Sequence, residues 1–186
     1  ATGSFEVFAA DNAGKRLPPG EVGTLYLRHK KLSKPFEYHL ACAKTGEAYL
    51  DGGAFTIGDI GRVDADGYVY LADRKSHTII SGGVNIYPTE VEEALQRHPA
   101  VADVAVFGIP DDEWGEQVKA AVELTEGWTA SPALAEELIA FARTHLAAYK
   151  APRSIDFEAR LPRYPTGKLH TRLLRDPYWK GRERRI

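Results

Sequence analysis

The strongest constraint on the fold of this chain is a change in the pattern of its apolar residues near residue 77. Before that point, short apolar–polar alternations are separated by turns rich in glycine, proline and aspartate, as in a sheet of short strands. After it, apolar strands alternate with amphipathic helices over roughly 110 residues, which is typical of a compact domain of mixed structure. The sequence therefore predicts an α+β protein in two parts, residues 1–75 and residues 76–186.

The first part, residues 1–75, is predicted to be β-rich. Strands are predicted at residues 5–8, 23–28 and 68–72, and turns at residues 11–15 and 64–67. No segment here has the period of a helix. Short strands with one polar face favour a barrel-like sheet, and we interpret this part as the last section of a larger domain.

The second part, residues 76–186, is predicted to be a small sheet flanked by helices. One helix begins at Pro88, with Glu90 and Glu92 near its positive end. Two further helices are predicted at residues 132–146 and 169–174, and three strands at residues 101–109, 117–124 and 155–157.

The composition argues against several classes of protein. Hydrophobic residues make up 44% and charged residues 27%, as in a globular domain rather than a disordered one. The net charge of −2 gives no electrostatic reason to bind nucleic acid or an anionic membrane. No apolar stretch is long enough to span a bilayer, and the N-terminus lacks the pattern of a signal peptide. The single cysteine, Cys42, excludes an internal disulfide, suits the cytoplasm and is expected to be buried.

Two adjacent glycines form the first candidate site. Gly82 and Gly83 follow Ser81, between an apolar strand and the helix that begins at Pro88. Because they lack Cβ atoms, they let a ligand approach the backbone closely. A turn that only joins the strand to the helix is the simpler explanation, and the spacing alone leaves both open.

Lys168 forms the second candidate site. Pro162 and Pro165 restrict the backbone before it, and Gly167 permits a sharp turn. The loop therefore presents the ammonium group as a compact point charge that suits phosphate or carboxylate. A solvated loop lysine is the alternative, and the glycine spacing of a phosphate-cradling P-loop is absent.

Five groups of residues follow one another along the chain. The first two are Gly58-Asp59 through Gly67-Tyr68, and Asp73-Arg74-Lys75. The third joins Ser81-Gly82-Gly83, Asn85-Ile86-Tyr87-Pro88 and Glu90-Val91-Glu92, the fourth runs from Pro99-Ala100-Val101 to Pro110-Asp111, and the fifth is Pro165-Thr166-Gly167-Lys168. In this order and spacing the chain resembles the adenylate-forming superfamily, and in particular the C-terminal portion of an acyl-CoA synthetase. The resemblance covers nearly the whole chain, so it is more specific than any one motif.

The resemblance implies a two-step reaction. A carboxylic acid attacks the α-phosphate of ATP to give an acyl-adenylate and pyrophosphate, and the thiolate of CoA then displaces AMP. By motif match, Asp59 would accept hydrogen bonds from the ribose hydroxyls, Arg74 would assist there, and Lys168 would bridge the carboxylate and the α-phosphate. A preplaced ammonium group offsets the negative charge that collects where two anions meet. Magnesium is implied only as the counter-ion of ATP, because the sequence shows no metal-ligand cluster.

The resemblance also implies that residues 76–186 form a mobile lid. In one pose of the lid, Lys168 would be inserted into the site for the adenylation step. The other would bring Ser81-Gly82-Gly83 against the site, where glycine leaves room for the pantetheine arm of CoA. Such a rotation needs a hinge, and the hinge position of the family matches Ser76.

Two positions depart from the pattern of the family. The family often carries Asp or Lys where this chain has Ser76, and Ile57 replaces the threonine that commonly precedes the Gly-Asp pair, with Thr56 one place earlier. His77, next to the hinge position, is interpreted as an ordinary surface histidine, with a pH-sensitive group as the alternative.

The phosphate loop, adenine pocket and acyl pocket of the family do not occur in the sequence. On the pattern of the family they lie in a large N-terminal domain before residue 1, and the lack of any methionine agrees with the removal of an upstream portion. We therefore expect the chain alone to be inactive. A role in fatty acid metabolism follows from the resemblance, although the residues that would select the acid are not in this chain.

Two other functions stay open at this point. An adenylation domain that loads the pantetheine arm of a carrier protein would share every motif, but no carrier domain follows in the sequence, which favours free CoA. A non-catalytic lid-like docking module is the second alternative. The joint presence of Asp59, Arg74 and Lys168 disfavours it, because docking alone does not require these three residues.

The C-terminal segment, residues 172–186, is basic and contains Tyr178 and Trp179. We predict a solvated tail whose aromatic side chains pack back onto the domain. Contact with nucleic acid or membrane is one alternative. Contact of Arg182, Arg184 and Arg185 with the phosphates of CoA is another.

Overall fold

The computed structural model of the protein describes residues 3–182, and the chain divides into two compact units, Ala1–Ser76 and His77–Ile186. The α+β fold class predicted from the sequence is confirmed. In the part of the chain that the structure describes, no helix has both the length and the apolar character needed to cross a membrane.

The described residues of the first unit form one antiparallel sheet and one short helix. The elements are β1 (Phe5–Ala10), β2 (Gly23–His29), α1 (Cys42–Glu47), β3 (Ala54–Phe55), β4 (Asp59–Val63) and β5 (Val69–Arg74). The strand order is β1-β2-β4-β5, with β3 also paired to β2. Within the described residues this path does not close on itself, so the sheet is open rather than barrel-like.

Two aspartates close turns of this sheet where the sequence predicted them. The Asp11 carboxylate accepts hydrogen bonds from the backbone N–H groups of Ala13 and Lys15, both at 2.9 Å. Asp64 does the same for Asp66 and Tyr68, at 3.0 and 2.9 Å. A carboxylate that bonds its own backbone in this way favours a tight turn.

Helix α1 contradicts the expectation that the first part contains no helix. It is only six residues long, which is too short for a hydrophobic period to be recognised. Thr45 is its buried residue, and its hydroxyl donates to the carbonyl of Ala41 at 3.0 Å. Cys42 is exposed, so its predicted burial is wrong, because the helix turns Thr45 rather than Cys42 toward the interior.

The second unit is a five-stranded sheet with helices. Its elements are β6 (Ile79–Ser81), β7 (Val84–Ile86), α2 (Pro88–Leu95), β8 (Val101–Asp111), β9 (Gly115–Leu124), α3 (Pro132–His145), β10 (Ser154–Glu158) and α4 (Thr171–Arg175), with a 3₁₀ turn at Asp176–Trp179. A further 3₁₀ turn, Lys75–His77, contains the last residues of the first unit and the first residue of the second. The strand order is β10-β9-β6-β7, with β8 also on β9. The pair β10–β9 is parallel and the others are antiparallel.

Both faces of the β8–β9 hairpin are buried, which explains the continuous apolar run in the sequence. Val104 and Val106 face the larger core, which α2 and α3 cover. Ala105 and Phe107 face a smaller cluster on the other side. This division follows from the alternation of side chains along a strand.

Helix α3 begins where its sequence provides a cap. The Ser131 hydroxyl accepts a hydrogen bond from the backbone N–H of Leu134 at 3.1 Å, as an N-cap serine does. Leu134, Leu138 and Ala142 are its buried residues, spaced one turn apart on the face that packs against the sheet.

Candidate functional site

Asp59 and Arg74 are brought together by the pairing of β4 with β5. They are direct partners in the register of the two strands, and Arg74 Nε lies 3.0 Å from Asp59 Oδ1. The Asp59 side chain is 24% exposed. Since a carboxylate can accept several hydrogen bonds, Asp59 has the capacity to accept others besides that from Arg74.

The loop before Asp59 is fixed by local hydrogen bonds. Thr56 Oγ1 accepts from the backbone N–H of Gly58 at 3.0 Å, and the carbonyl of Gly58 accepts from Lys75 N at 2.8 Å. Ile57, which replaces the threonine of the family pattern, is 49% exposed. The Thr56 hydroxyl thus stabilises the entry to β4.

Gly82 and Gly83 form the turn of the β6–β7 hairpin, rather than a link from a strand to a helix. Ser81 pairs with Val84 across the turn, and the two glycines have φ angles of 57° and 79°. A two-residue hairpin in which both central residues have positive φ is a type I′ turn, for which glycine is strongly favoured.

Trp114 lies against this turn, a contact that the sequence analysis missed. The backbone N–H of Gly82 donates to the carbonyl of Trp114 at 2.8 Å. A Cβ atom at Gly82 would lie 2.5 Å from Trp114 Cε3, whereas a Cβ atom at Gly83 would meet nothing within 4 Å. Glycine at position 82 is therefore favoured by packing as well as by its backbone angle. The only signal in the sequence is a tryptophan in the short turn between two predicted strands.

Asp111 orders the segment that carries Trp114. Its Oδ1 accepts from the backbone N–H groups of Trp114 and Glu113, at 2.9 and 3.0 Å. The hydrogen bond from Trp114, with that from Glu113 and the charge of Arg153, holds the pKa of Asp111 below its usual value. The guanidinium of Arg153 also lies 5.6 Å from the centre of a Trp114 ring, a cation–π distance.

The Lys168 loop is a tight hairpin. Gly167 N donates to the carbonyl of Tyr164, and Tyr164 N donates to the carbonyl of Lys168, both at 2.8 Å. Pro165 occupies the second position of the turn, and Gly167 has a φ of 85°. A turn of this kind followed by a glycine of positive φ is a common hairpin connection. Lys168 directly follows the turn, and its side chain is exposed.

Arg163 holds the stem of this hairpin. Its guanidinium donates to the carbonyl of Gly167 at 2.7 Å and forms an ion pair with Asp103. Across the stem, the rings of Tyr164 and His170 are stacked at 3.9 Å. No local pattern in the sequence points to Arg163, because its partner Asp103 is sixty residues away.

The two candidate elements of the second unit lie at opposite ends of β8. The Lys168 hairpin is attached to Asp103, near the start of the strand. The glycine turn is at its other end, where Ser81 and Asp111 both pair with Gly115. Asp103 and Asp111 are eight positions apart along the extended strand, a distance of about 26 Å at ~3.3 Å per residue.

The chain matches known proteins in both sequence and structure. Residues 90–168 match the family model of the AMP-binding enzyme C-terminal domain. The fatty acid–[acyl-carrier-protein] ligase ScoC of Streptomyces coeruleorubidus is 40% identical over 176 residues, which are 95% of this chain and 33% of that protein. A long-chain-fatty-acid–CoA ligase of Bacillus subtilis strain 168 is 42% identical over 165 residues, which are 89% of this chain and 28% of that protein. The crystal structure of an ATP-bound RpMatB-BxBclM chimera, B1, matches with a TM-score of 0.86 and 35% identity, over 94% of this chain and 34% of that one.

The chain belongs to the adenylate-forming superfamily. It spans about a third of the length of the curated relatives it matches. The match runs through both units, because the aligned part of the ScoC ligase covers 95% of the chain.

Within this adenylate-forming chain, the predicted site residues are divided between the two units. Asp59 and Arg74 lie in the first unit, and the glycine turn and Lys168 in the second. Ser76 lies in the 3₁₀ turn Lys75–His77, and the chain passes from one unit to the other directly after it. The roles assigned to these residues stay predictions.

Among residues 3–182, no group of three or more His, Cys, Asp or Glu side chains could hold a metal ion. Tyr178 and Trp179 pack back onto the sheet as predicted, with Trp179 Nε1 donating to the carbonyl of Gly108 at 2.9 Å. Arg182 pairs with Asp112 at 2.7 Å. Arg184 and Arg185 lie outside the described residues.

Proposed function

We propose that this chain is the C-terminal portion of an ATP-dependent acid–thiol ligase, which activates a carboxylic acid as an acyl-adenylate and transfers the acyl group to CoA. The Lys168 hairpin carries the proposal. An exposed ammonium group at the end of a hairpin braced by Arg163 and Asp103 is preplaced to meet two anions. Preplacement of this kind lowers a barrier because little reorganisation is needed when charge develops.

In the first step, the chain would hold the nucleotide and neutralise charge. Asp59, oriented by Arg74, would accept hydrogen bonds from the ribose hydroxyls of ATP. The Lys168 ammonium would bridge the substrate carboxylate and the α-phosphate. Magnesium would enter with ATP as its counter-ion.

In the second step, the glycine turn would replace the Lys168 hairpin at the reaction centre. The two elements are attached at opposite ends of β8, whose residues Asp103 and Asp111 are about 26 Å apart at ~3.3 Å per residue, so we propose that one reaction centre does not use both in the same pose. A rotation of the second unit about Ser76 would exchange them. The position of Ser76 at the end of the first unit supports this hinge.

We propose CoA as the acceptor of the acyl group. One relative is a CoA ligase and another is named as an acyl-carrier-protein ligase, and the two have similar identity to this chain. Both acceptors present a pantetheine thiol, so a carrier protein is the second candidate acceptor. We place the reaction in fatty acid metabolism and in the cytoplasm, where reducing conditions keep the exposed Cys42 as a thiol.

The proposal requires a large adenylate-forming domain as partner, either on the same polypeptide or supplied separately. The chain spans about a third of the length of its curated relatives, and the remainder of those proteins is absent from it. We therefore expect no ATP–pyrophosphate exchange by residues 1–186 alone. Exchange by this chain with any carboxylic acid would contradict that expectation.

The decisive experiment is exchange in the protein encoded by the full reading frame, with a panel of carboxylic acids and Lys168→Ala beside it. We expect Lys168→Ala to lower the exchange rate by about 10²–10³-fold, the usual cost of removing one preorganised charge-stabilising group. Lys180→Ala, which removes another exposed lysine of the same unit, is the matched control and should retain the wild-type rate.

A second arm separates the half-reactions and the acceptors. Supplied with synthetic acyl-adenylate, the Lys168→Ala protein should still transfer the acyl group, because the lysine is required only for adenylation. Free CoA and a pantetheinylated carrier protein are compared as acceptors. Equal exchange rates for Lys168→Ala and Lys180→Ala would refute the role given to Lys168.

A further inference from the structure

The segment that follows Lys168 returns to the sheet and packs on it. Leu169 and Leu174 pack against the smaller buried cluster of the second unit, which contains Phe107 and Leu161. Helix α4 and the 3₁₀ turn Asp176–Trp179 then continue along β8. We call residues 169–179 the C-terminal strap.

Two aromatic side chains fasten the end of the strap. Trp179 Nε1 donates to the carbonyl of Gly108 in β8 at 2.9 Å. The Tyr178 hydroxyl donates to Asp156 Oδ2 in β10. The strap is therefore attached to two strands by polar contacts and to the sheet face by its leucines.

A buried lysine fixes the carboxylate that Tyr178 contacts. Lys119 Nζ lies 2.7 Å from Asp156 Oδ1 and 3.2 Å from Ser154 Oγ, and the side chain is only 7% exposed. Burial raises the pKa of Asp156, but the hydrogen bonds from Lys119 and Tyr178 outweigh it and lower that pKa overall. Because a buried charge that loses its partner is strongly destabilising, Asp156 cannot leave Lys119 easily. It is a fixed anchor for Tyr178.

The N-terminal side of the Lys168 hairpin is attached to the sheet by separate contacts. Leu161 is 2% exposed, and its backbone N–H donates to Glu123 Oε2 at 2.9 Å. Arg163 pairs with Asp103. The residues before the turn are therefore fixed to the sheet by Leu161 and Arg163, and the residues after it are fixed by the strap.

We infer that Tyr178, held by Asp156 and Lys119, is a positioning residue for Lys168. Through the strap it limits the motion of the hairpin that carries the ammonium group. The inference concerns the geometry of the hairpin, and its catalytic consequence rests on the proposed function.

The structural test is hydrogen exchange on the whole chain with Tyr178→Phe, which removes only the hydroxyl. The contact of Trp179 with Gly108 keeps the strap on the sheet, so we expect looser attachment rather than detachment. The amides of Gly167 and His170, bonded to Tyr164 and Pro162, should exchange about fivefold faster, the effect of one lost hydrogen bond. The amides of the β8–β9 ladder should not change.

The matched control is Tyr68→Phe, which removes an exposed hydroxyl from the first unit. Unchanged exchange at Gly167 and His170 in Tyr178→Phe would overturn the inference. Equally faster exchange at all amides of the second unit would also overturn it, because Tyr178 would then act only on general stability.

The functional test uses the protein of the full reading frame. Tyr178→Phe should slow pyrophosphate exchange about three- to tenfold and leave acyl transfer from synthetic acyl-adenylate unchanged, since a 1 Å misplacement of a catalytic group is enough to slow a reaction. An equal loss in both half-reactions would contradict positioning of Lys168. If Lys168→Ala itself has no effect, the proposed function fails, while the exchange result at Gly167 still decides whether Tyr178 holds the hairpin.

Discussion

Gly82 and Gly83 have similar backbone angles but different surroundings, which allows packing and backbone strain to be separated at single residues. Both have positive φ, so any side chain there is strained. Only at Gly82 would a Cβ atom meet the ring of Trp114, at 2.5 Å. Trp114 is 42% exposed, so its ring can move outward, at the cost of its contact with Arg153.

We expect Gly83→Ala to lower the free energy of unfolding of the second unit by about 1 kcal/mol, from the positive φ alone. Gly82→Ala should cost about 1 kcal/mol more, because the new methyl group displaces the ring. Chemical denaturation followed by tryptophan fluorescence measures both values.

The excess cost at Gly82 is attributed to Trp114, and a double variant checks that attribution. In a Trp114→Ala background, Gly82→Ala and Gly83→Ala should have nearly the same effect. If Gly82→Ala stays the more harmful of the two without the tryptophan, the contact with Trp114 is not the reason for glycine at that position.

At the scale of the elements, the parts that the sequence predicted well are those with a local signal. The strands β8 and β9 were predicted because their apolar runs are long, and α2 was predicted because Pro88 marks its first position. The apolar strand before Gly82 was predicted and corresponds to β6, but its partner β7 was missed because three residues are too few to show an alternation.

The same limit applies to the candidate site. The Lys168 turn was predicted from Pro165 and Gly167, which act locally. The ion pair of Arg163 with Asp103 and the contact of Gly82 with Trp114 depend on how distant strands meet, and no local pattern encodes that. Motif spacing suggested Asp59 and Arg74 together, but only the register of β4 and β5 explains their ion pair.

The attachment of the C-terminal strap gives a prediction for alkaline pH. Burial and the hydrogen bond to Asp156 raise the pKa of Tyr178 to about 12, from a value of about 10 in an unfolded chain. A pKa raised by folding means that the neutral phenol stabilises the fold fully below pH ~10, and that this stabilisation is lost as the pH rises toward ~12. The free energy of unfolding of the second unit should therefore fall over that range.

Comparison with Tyr178→Phe isolates this contribution, since the pKa values of Tyr26 and Tyr70 in the first unit are also raised. The difference in stability between wild type and variant should shrink from pH 10 to pH 12. If the difference stays constant over that range, folding does not raise the pKa of Tyr178.

At the scale of the whole molecule, the two units have cores of different size. The main cluster of the second unit contains fifteen buried residues, all between Ile79 and Ala151, and a second cluster lies on the other face of its sheet. The described cluster of the first unit contains four. Its edge strand β5 leaves Val69, Tyr70 and Leu71 exposed. Since stability grows with the apolar area that folding buries, the second unit should be the more stable one.

We therefore expect two unfolding transitions in this chain, with the first unit melting at the lower temperature. All three tryptophans, Trp114, Trp128 and Trp179, lie in the second unit, so their fluorescence reports that unit alone. Far-ultraviolet circular dichroism should show a first loss of β-structure while tryptophan fluorescence is unchanged. A separate piece, residues 77–186, should retain only the upper transition, at nearly the same temperature. Coincident transitions by both probes would mean that the two cores unfold as one cooperative unit, because coincidence of different probes is the mark of two-state unfolding.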